Sequence, residues 1–401
     1  MMPDRIGKQL LLPVLLLVIL LTGCGGPAPV DTGPQIAYRP VSQETALTFA
    51  DSLSRAFSQQ DQRFYELHCD QVRLAEVIKN ALNDSMPLPE ATERIAKMVF
   101  LPELLLGLRS GYAGMVILGA VERDAAQVLR IRIDLRNGRA LYFDLKLEVR
   151  DDGKSQIVMI TDVYFIFRGI WQTDRIIKQF VLAGGIPDGT MEPELQKTFA
   201  LRDEAFRYYR EQKVDEAEAA FAQLPAEFQA NRMLQFDRLY CFLERRPEQF
   251  AEQFAAYEAA YPDNESLYTL RYRKHLLEEN YDLAEAALDS FHVFLGQRDA
   301  YYNFYLAEIA GFRGDAAATR AALDAAVAAE PQNVFFRVYL LDYFLKIRDY
   351  AAAVPVLDQL LNEQISINYA TLTEYEKFHA SAPLQAYLKA HPEREEILKP
   401  R

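Results

Sequence analysis

Residues able to do chemistry are few and scattered in this chain. The five histidines, His68, His275, His292, His379 and His391, are the natural general bases and metal ligands, yet no two stand three or four residues apart. A helix therefore cannot present two of them to one ion. The sequence contains neither a GxSxG elbow nor a phosphate-binding glycine loop. Three cysteines, Cys24, Cys69 and Cys241, are too few for a four-cysteine zinc site or a disulfide scaffold. In an oxidising compartment Cys69 and Cys241 either pair across two domains or stay as buried free thiols. The apolar helical pattern around each favours free thiols. The expectation is a protein with no catalytic residue, no metal and no cofactor.

The chain behind those residues is ordinary globular material. It has 401 residues, 50% hydrophobic and 25% charged, enough for two or three domains and against wholesale disorder. Lysines and arginines number 44 against 57 acids, a net charge of −13. Phosphate neutralisation needs a basic face, so a nucleic-acid partner is not expected.

The N-terminus carries an address. Arg5 and Lys8 precede an apolar run from Leu10 to Leu21, with Pro13 inside it. That run is too short to cross a hydrocarbon core of roughly 30 Å and reads as the apolar part of a secretory signal. It ends in Leu21-Thr22-Gly23-Cys24. This ending resembles a bacterial lipobox. The resemblance implies cleavage before Cys24, a diacylglycerol thioether on its sulfur and an acyl chain such as palmitate on its amine. Two or more chains anchor stably where one does not. Gly25 stands where the family's inner-membrane retention signal has Asp. The resemblance thus implies an outer-membrane lipoprotein facing the periplasm, or a cell-membrane lipoprotein in a host with a single membrane. Residues 1–23 are then a signal peptide. Residues 24–40, rich in Gly and Pro, are a lipidated tether.

Two periodicities follow, which predict an α+β domain over 41–186 and an all-α solenoid over 191–365. Residues 366–401 supply a closing helix and tail, in which Leu372 to Leu388 reads as the helix. Net charge divides unevenly, −2 from Gly25 to Thr190 and −12 beyond. The breakers Gly184-Gly185-Ile186-Pro187-Asp188-Gly189 mark the boundary. Ser42 caps a first helix with Leu47, Ala50, Leu53, Ser54 and Phe57 on its apolar face. A second helix carries Leu74, Val77, Ile78, Ala81 and Leu82, and a third runs from about Glu90 to Leu108.

After that the period becomes two. Leu129, Ile131, Ile133 and Leu135 alternate with Arg130, Arg132, Asp134 and Arg136. Leu141, Phe143, Leu145, Leu147 and Val149 alternate with polar partners in the next strand. A two-residue Asn137-Gly138 turn would set the apolar face of one strand against the polar face of the other. A three-residue loop, with Gly138 in a left-handed bulge, instead pairs Ile133 with Leu141 and Ile131 with Phe143. Arg130 then meets Asp144 on the outer face. Ile157 to Phe167 is apolar on nearly both faces and is expected in the middle of the sheet.

The stretch Glu148-Val149-Arg150-Asp151-Asp152-Gly153 followed by Ile160-Thr161-Asp162-Val163-Tyr164 resembles the last strands of the ketosteroid-isomerase-like cone fold. Periplasmic phospholipid-shuttle proteins end comparably. The resemblance implies helices over one face of an antiparallel sheet and space for an apolar ligand. A catalytic version needs a carboxylate and a histidine, and only His68 is at hand.

In the second half Ala217, Phe250, Ala284, Ala318 and Ala353 recur at spacings of 33, 34, 34 and 35. Four residues after them stand Phe221, Phe254, Leu288, Ala322 and Leu357. This pattern resembles the tetratricopeptide repeat, about five copies of a 34-residue helix pair. The family's groove positions, carried over, are Arg202, Tyr209, Arg232, Gln235, Thr269, Arg273, Asn303 and Asp342. The family's chaperone clamp of paired lysines and asparagines is absent. The leading expectation is a non-enzymatic, membrane-anchored periplasmic scaffold whose groove binds a protein or peptide. The alternatives are a lipid-like or small ligand in the first domain, with the solenoid as docking platform, and an enzyme on the cone fold.

Overall fold

The computed structural model describes residues 36–98, 112–135, 139–182, 193–211, 213–365 and 372–398. The lipobox, Cys24, the Gly138 bulge and the breaker run at Gly184 all lie outside the described residues. The last four residues assigned to the tether do not. Ala37–Pro40 is a strand, β1, that pairs antiparallel with β4 (Ala140–Asp151), from Ala37 opposite Asp151 to Pro40 opposite Glu148. Arg39 ties it to Asp151 at 2.6 Å, and the Tyr38 hydroxyl donates to Asp70.

Helix α1 (Gln43–Gln59) is capped by Ser42, whose side chain accepts from the Thr45 amide. Its buried face is Ala46, Phe49, Ala50, Leu53 and Ala56. Leu47, expected inside, is 43% exposed; the covered stripe lies one position round the helix. Helices α2 (Gln62–His68), α3 (Gln71–Ala81) and α4 (Leu88–Met98) follow, α2 and α3 capped by Asp61 and Asp70.

Sequence periodicity does not reveal β2 (Tyr112–Arg123) or α5 (Gln172–Leu182). The sheet runs β2-β3-β4-β5-β6, with β3 at Ala126–Leu135, β5 at Gln156–Phe165 and β6 at Ile170–Trp171. The parity argument holds at the β3–β4 hairpin. Ile133 faces Leu141, Ile131 faces Phe143, and Arg130 faces Asp144. β5 is not central. It has β4 on one side and, on the other, the two-residue β6 and a single bridge from Ile160 to Cys69. Its apolar character reflects layers packed on both faces, not its place in the sheet.

Leu129, Ile131, Ile133, Phe143, Leu145 and Leu147 pack against Phe49, Leu53 and Tyr65 of α1 and α2. All six of these strand residues are at most 2% exposed, so no water-sized cavity reaches them; an open groove of about 550 Å³ lies beside them, between α1 and Ile117 of β2. α3, α4 and α5 close a second small core of Leu74, Ile78, Ile95, Ile176 and Phe180.

The chain then continues as helices, each packed chiefly on its neighbour in sequence. Helix pairs run Pro193–Arg210 with Val214–Ala222, Arg232–Arg245 with Pro247–Ala260, and Leu267–Leu277 with Tyr281–Leu295. Ala300–Arg313 with Ala316–Ala329 and Val334–Lys346 with Tyr350–Asn362 come next. Ala217, Phe250, Ala284 and Ala353 are fully buried, as their spacing requires. Ala318 is exposed, and the buried residues of its helix are Thr319, Leu323 and Ala326. The register is set by the cap, not by a fixed count. Each buried position stands four residues after the N-cap, which here is Asp315. The expected single closing helix is two, Tyr375–His379 and Ala382–Ala390. Ser381 interrupts them by capping the second.

Candidate functional site

The polar face of the sheet is where the structure departs most from sequence reasoning. Arg130, Arg132, Asp134 and Asp144 alternate with the apolar residues, which marks them for solvent. They are instead 5%, 0%, 7% and 0% exposed. The helical half covers this face. The Arg130–Asp144 pair exists, at 2.7 and 2.9 Å, but it is buried rather than on an outer surface.

Arg132 is the most enclosed charge. Its guanidinium donates to Asp134 at 2.6 and 3.2 Å within its own strand. Across the interface it reaches Asp299 at 2.9 Å and Glu330 at 2.6 Å, and it stands 4.8 Å over the Tyr301 ring. Burial works against this charge, but the bonds to Glu330 and Asp134 outweigh it and hold the guanidinium above its ordinary pKa. Burial pushes the Asp134 carboxyl up, against the pull of Arg132. The Tyr142 hydroxyl donates to Asp299 and the Asn333 amide to Asp134.

A second cluster centres on Asp144. Arg123 and Arg130 both bind it, and Arg123 continues to Glu265 at 2.8 and 2.9 Å. Glu265 also takes the Tyr164 hydroxyl. Arg130 donates on to the Phe294 carbonyl. Aromatic residues fill the gaps, with Tyr142 edge-on to Phe291 at 5.2 Å. Buried charges need partners and hydrogen bonds to be tolerated. Here each half of the chain supplies partners that the other lacks. The clue in the sequence was Tyr142 and Tyr164 on the supposedly wet face, among balanced arginines and acids.

The β3–β4 hairpin also reaches the helices where a groove ligand was expected. Arg139, just past its tip, donates to Tyr240 and Glu244 at 2.7 and 2.8 Å. Arg168 pairs with Asp237 at 2.9 Å. The proposed groove residues are scattered among local tasks. Arg202 pairs with Asp203 and lies over Phe199. Arg232 donates to the Gly169 carbonyl of the sheet domain at 2.7 Å. Gln235 donates to the Gln229 carbonyl and Thr269 to that of Ser266. Arg273 is paired with Glu308 at 3.2 Å. Asp342 accepts from the Thr373 amide at 2.7 Å. Asn303 is half-buried in Ala300–Arg313. The Tyr209 side chain lies outside the described residues. The seven described side chains each have a partner of their own or a half-buried place in a helix.

His68 ends α2, its Nδ1 2.7 Å from the Val158 carbonyl and its ring against Phe64. Cys69 and Cys241 are both free thiols. Burial pushes both up, Cys241 to about 12, so neither is poised as a nucleophile. Among the described residues no group of His, Cys, Asp and Glu is placed to hold a metal ion. No helix among them is long and apolar enough to cross a membrane.

These features define a class, an antiparallel α+β domain joined through its charged face to a stack of helix pairs. No protein family, curated protein or solved structure matches the chain.

Proposed function

We propose that the protein is a lipid-anchored, non-catalytic scaffold of the outer membrane, its helix pairs forming five tetratricopeptide-like repeats that dock a periplasmic protein. The sheet domain is a cone-type α+β unit that sets the stack's orientation above the membrane. The observation that carries this reading is the buried ionic join between the two halves. It makes the sheet domain and the stack one body, which suits a protein that presents a surface at a fixed distance from its anchor. The close packing of the central strand residues under α1 and α2 favours this reading over a lipid-like ligand enclosed in the first domain. The hairpin contacts Tyr240 and Glu244 on the helix that carries Arg232 and Gln235, so the reading puts the docking surface on the other, more acidic faces of the stack.

The test is proximity crosslinking in membranes. A photoreactive residue at exposed Phe312 or Val293, on the stack, should crosslink one defined protein, and one at exposed Val72 on α3 should not. Identical products from all three positions, or none, would overturn the reading.

A further inference from the structure

A cleft of about 450 Å³ opens between the sheet domain and the helical half. Trp171, Lys178, Arg232, Tyr261 and Glu265 are among its walls. A recess of about 130 Å³ adjoins it, sharing Arg123, Asp124 and Trp171 and adding Lys146, Thr161 and Asp162. Clefts at domain junctions are where small ligands most often bind.

Most charges in the cleft already have partners. Arg123 is held by Asp144 and Glu265, and Asp124 accepts the Trp171 indole N–H at 2.9 Å. Two cations lack a close ion-pair partner among the described residues: Arg232 donates to the Gly169 carbonyl, and Lys178 has only the more distant charge of Asp174, one turn back on its helix. Partial burial and the neighbouring Arg232 charge push the Lys178 ammonium down, against the pull of Asp174. Two cations on one wall repel each other, and an anion between them removes that cost. Deeper in, the Thr161 hydroxyl is 4% exposed and its oxygen has no hydrogen-bond partner. A buried hydroxyl without a partner is costly unless something else reaches it.

The turn that presents this wall is strained. Asp124 and Ala125 both have positive φ, 51° and 57°, in a two-residue hairpin between β2 and β3. Neither is glycine, so the backbone is held there against preference. Asp124 uses that position to fix the edge of Trp171.

We propose that this cleft binds a small acidic saccharide, its anionic group between Lys178 and Arg232 and its ring against Trp171. The polar walls exclude an apolar ligand. Exposed Asp174 and Asp263 at the mouth offer acceptors for sugar hydroxyls. The site is independent of the docking surface proposed above.

Trp171 is the sole tryptophan of the chain, so fluorescence excited at the red edge, where tyrosine does not absorb, reports this cleft alone. The full chain is titrated with glucuronate, glucose 6-phosphate, glucose and inorganic phosphate. At least one acidic sugar should give a saturable change, and the two together show whether a carboxylate or a phosphate is preferred. Glucose and phosphate should bind at least about tenfold more weakly, since each lacks half of the recognition. Lys178→Gln, at an exposed site, should weaken binding at least about tenfold with unchanged circular dichroism. Lys389→Gln, on the closing helices, should bind like the wild type. A flat response to both acidic sugars, equal binding of glucose or phosphate, or full binding by Lys178→Gln overturns the proposal.

Discussion

Arg132 and Glu330 stand 198 residues apart in sequence, yet Nη2 of one lies 2.6 Å from a carboxylate oxygen of the other. The arginine is fully buried on β3, between β2 and β4. The glutamate sits at the end of the helix Ala316–Ala329 as its C-cap. Their contact is one of several that make the two halves of the chain a single unit.

Removing the cation tests that unit. Arg132→Met leaves Asp134, Asp299 and Glu330 facing each other without compensation. Breaking a buried pair in this way costs about 3–5 kcal/mol. The variant should melt at lower urea than wild type, and adding Asp299→Asn should recover part of the loss. A single variant as stable as wild type would show that the ionic join contributes nothing.

Asp162 should make stability depend on pH. Its carboxyl accepts the amides of Val163 and Thr173 and contacts the Thr173 hydroxyl at the start of α5. Burial pushes its pKa up to about 7, from an ordinary 3.8. Between those values the folded chain holds a proton that the unfolded chain has lost. The stabilisation is full below about pH 4, declines as pH rises, and levels off above about 7. The range is on the order of 4 kcal/mol. Asp162→Asn mimics the protonated form and should flatten this part of the profile. Parallel curves for the variant and wild type between pH 4 and 7 would refute the assignment.

Gly169 joins the sheet to the stack in a conformation that favours glycine. Its φ is +62°, and a Cβ there would lie 2.7 Å or less from three atoms of the Asn264 side chain. Asn264 cannot swing freely, because its Oδ1 accepts from the Ser266 amide at 2.9 Å. Gly169→Ala should therefore destabilise by about 1–3 kcal/mol. Asn264→Ala in the same chain should return the steric part but not the backbone part. A double-mutant cycle with zero coupling would show that the close approach is not what constrains this position.

The anchor is tested by Cys24→Ser. With the acylated thiol gone, the protein should label with no palmitate and leave the membrane fraction or accumulate as a longer precursor. Wild-type labelling and fractionation in this variant would refute lipidation at Cys24.

Local chemistry made several features readable from sequence. Ser42 announces the first helix because its hydroxyl satisfies an amide three residues on. The β3–β4 register follows from parity, since a one-residue slip would turn every apolar side chain outward. The repeating buried positions of the helical half follow from its period, and where the fixed spacing failed, at Ala318, the cap at Asp315 carried the true register. The destination of the polar strand face was a different matter. Alternation tells which residues share a face, not what covers it. Arg132 reads as solvated until Asp299 and Glu330 arrive from far along the chain, because a charge is tolerable in water or among buried partners alike. For the same reason Arg273 looked available in sequence, whereas the fold spends it on Glu308. The cleft beside Trp171 exists only where two separately legible domains meet, so tertiary structure alone placed Lys178 and Arg232 on one wall.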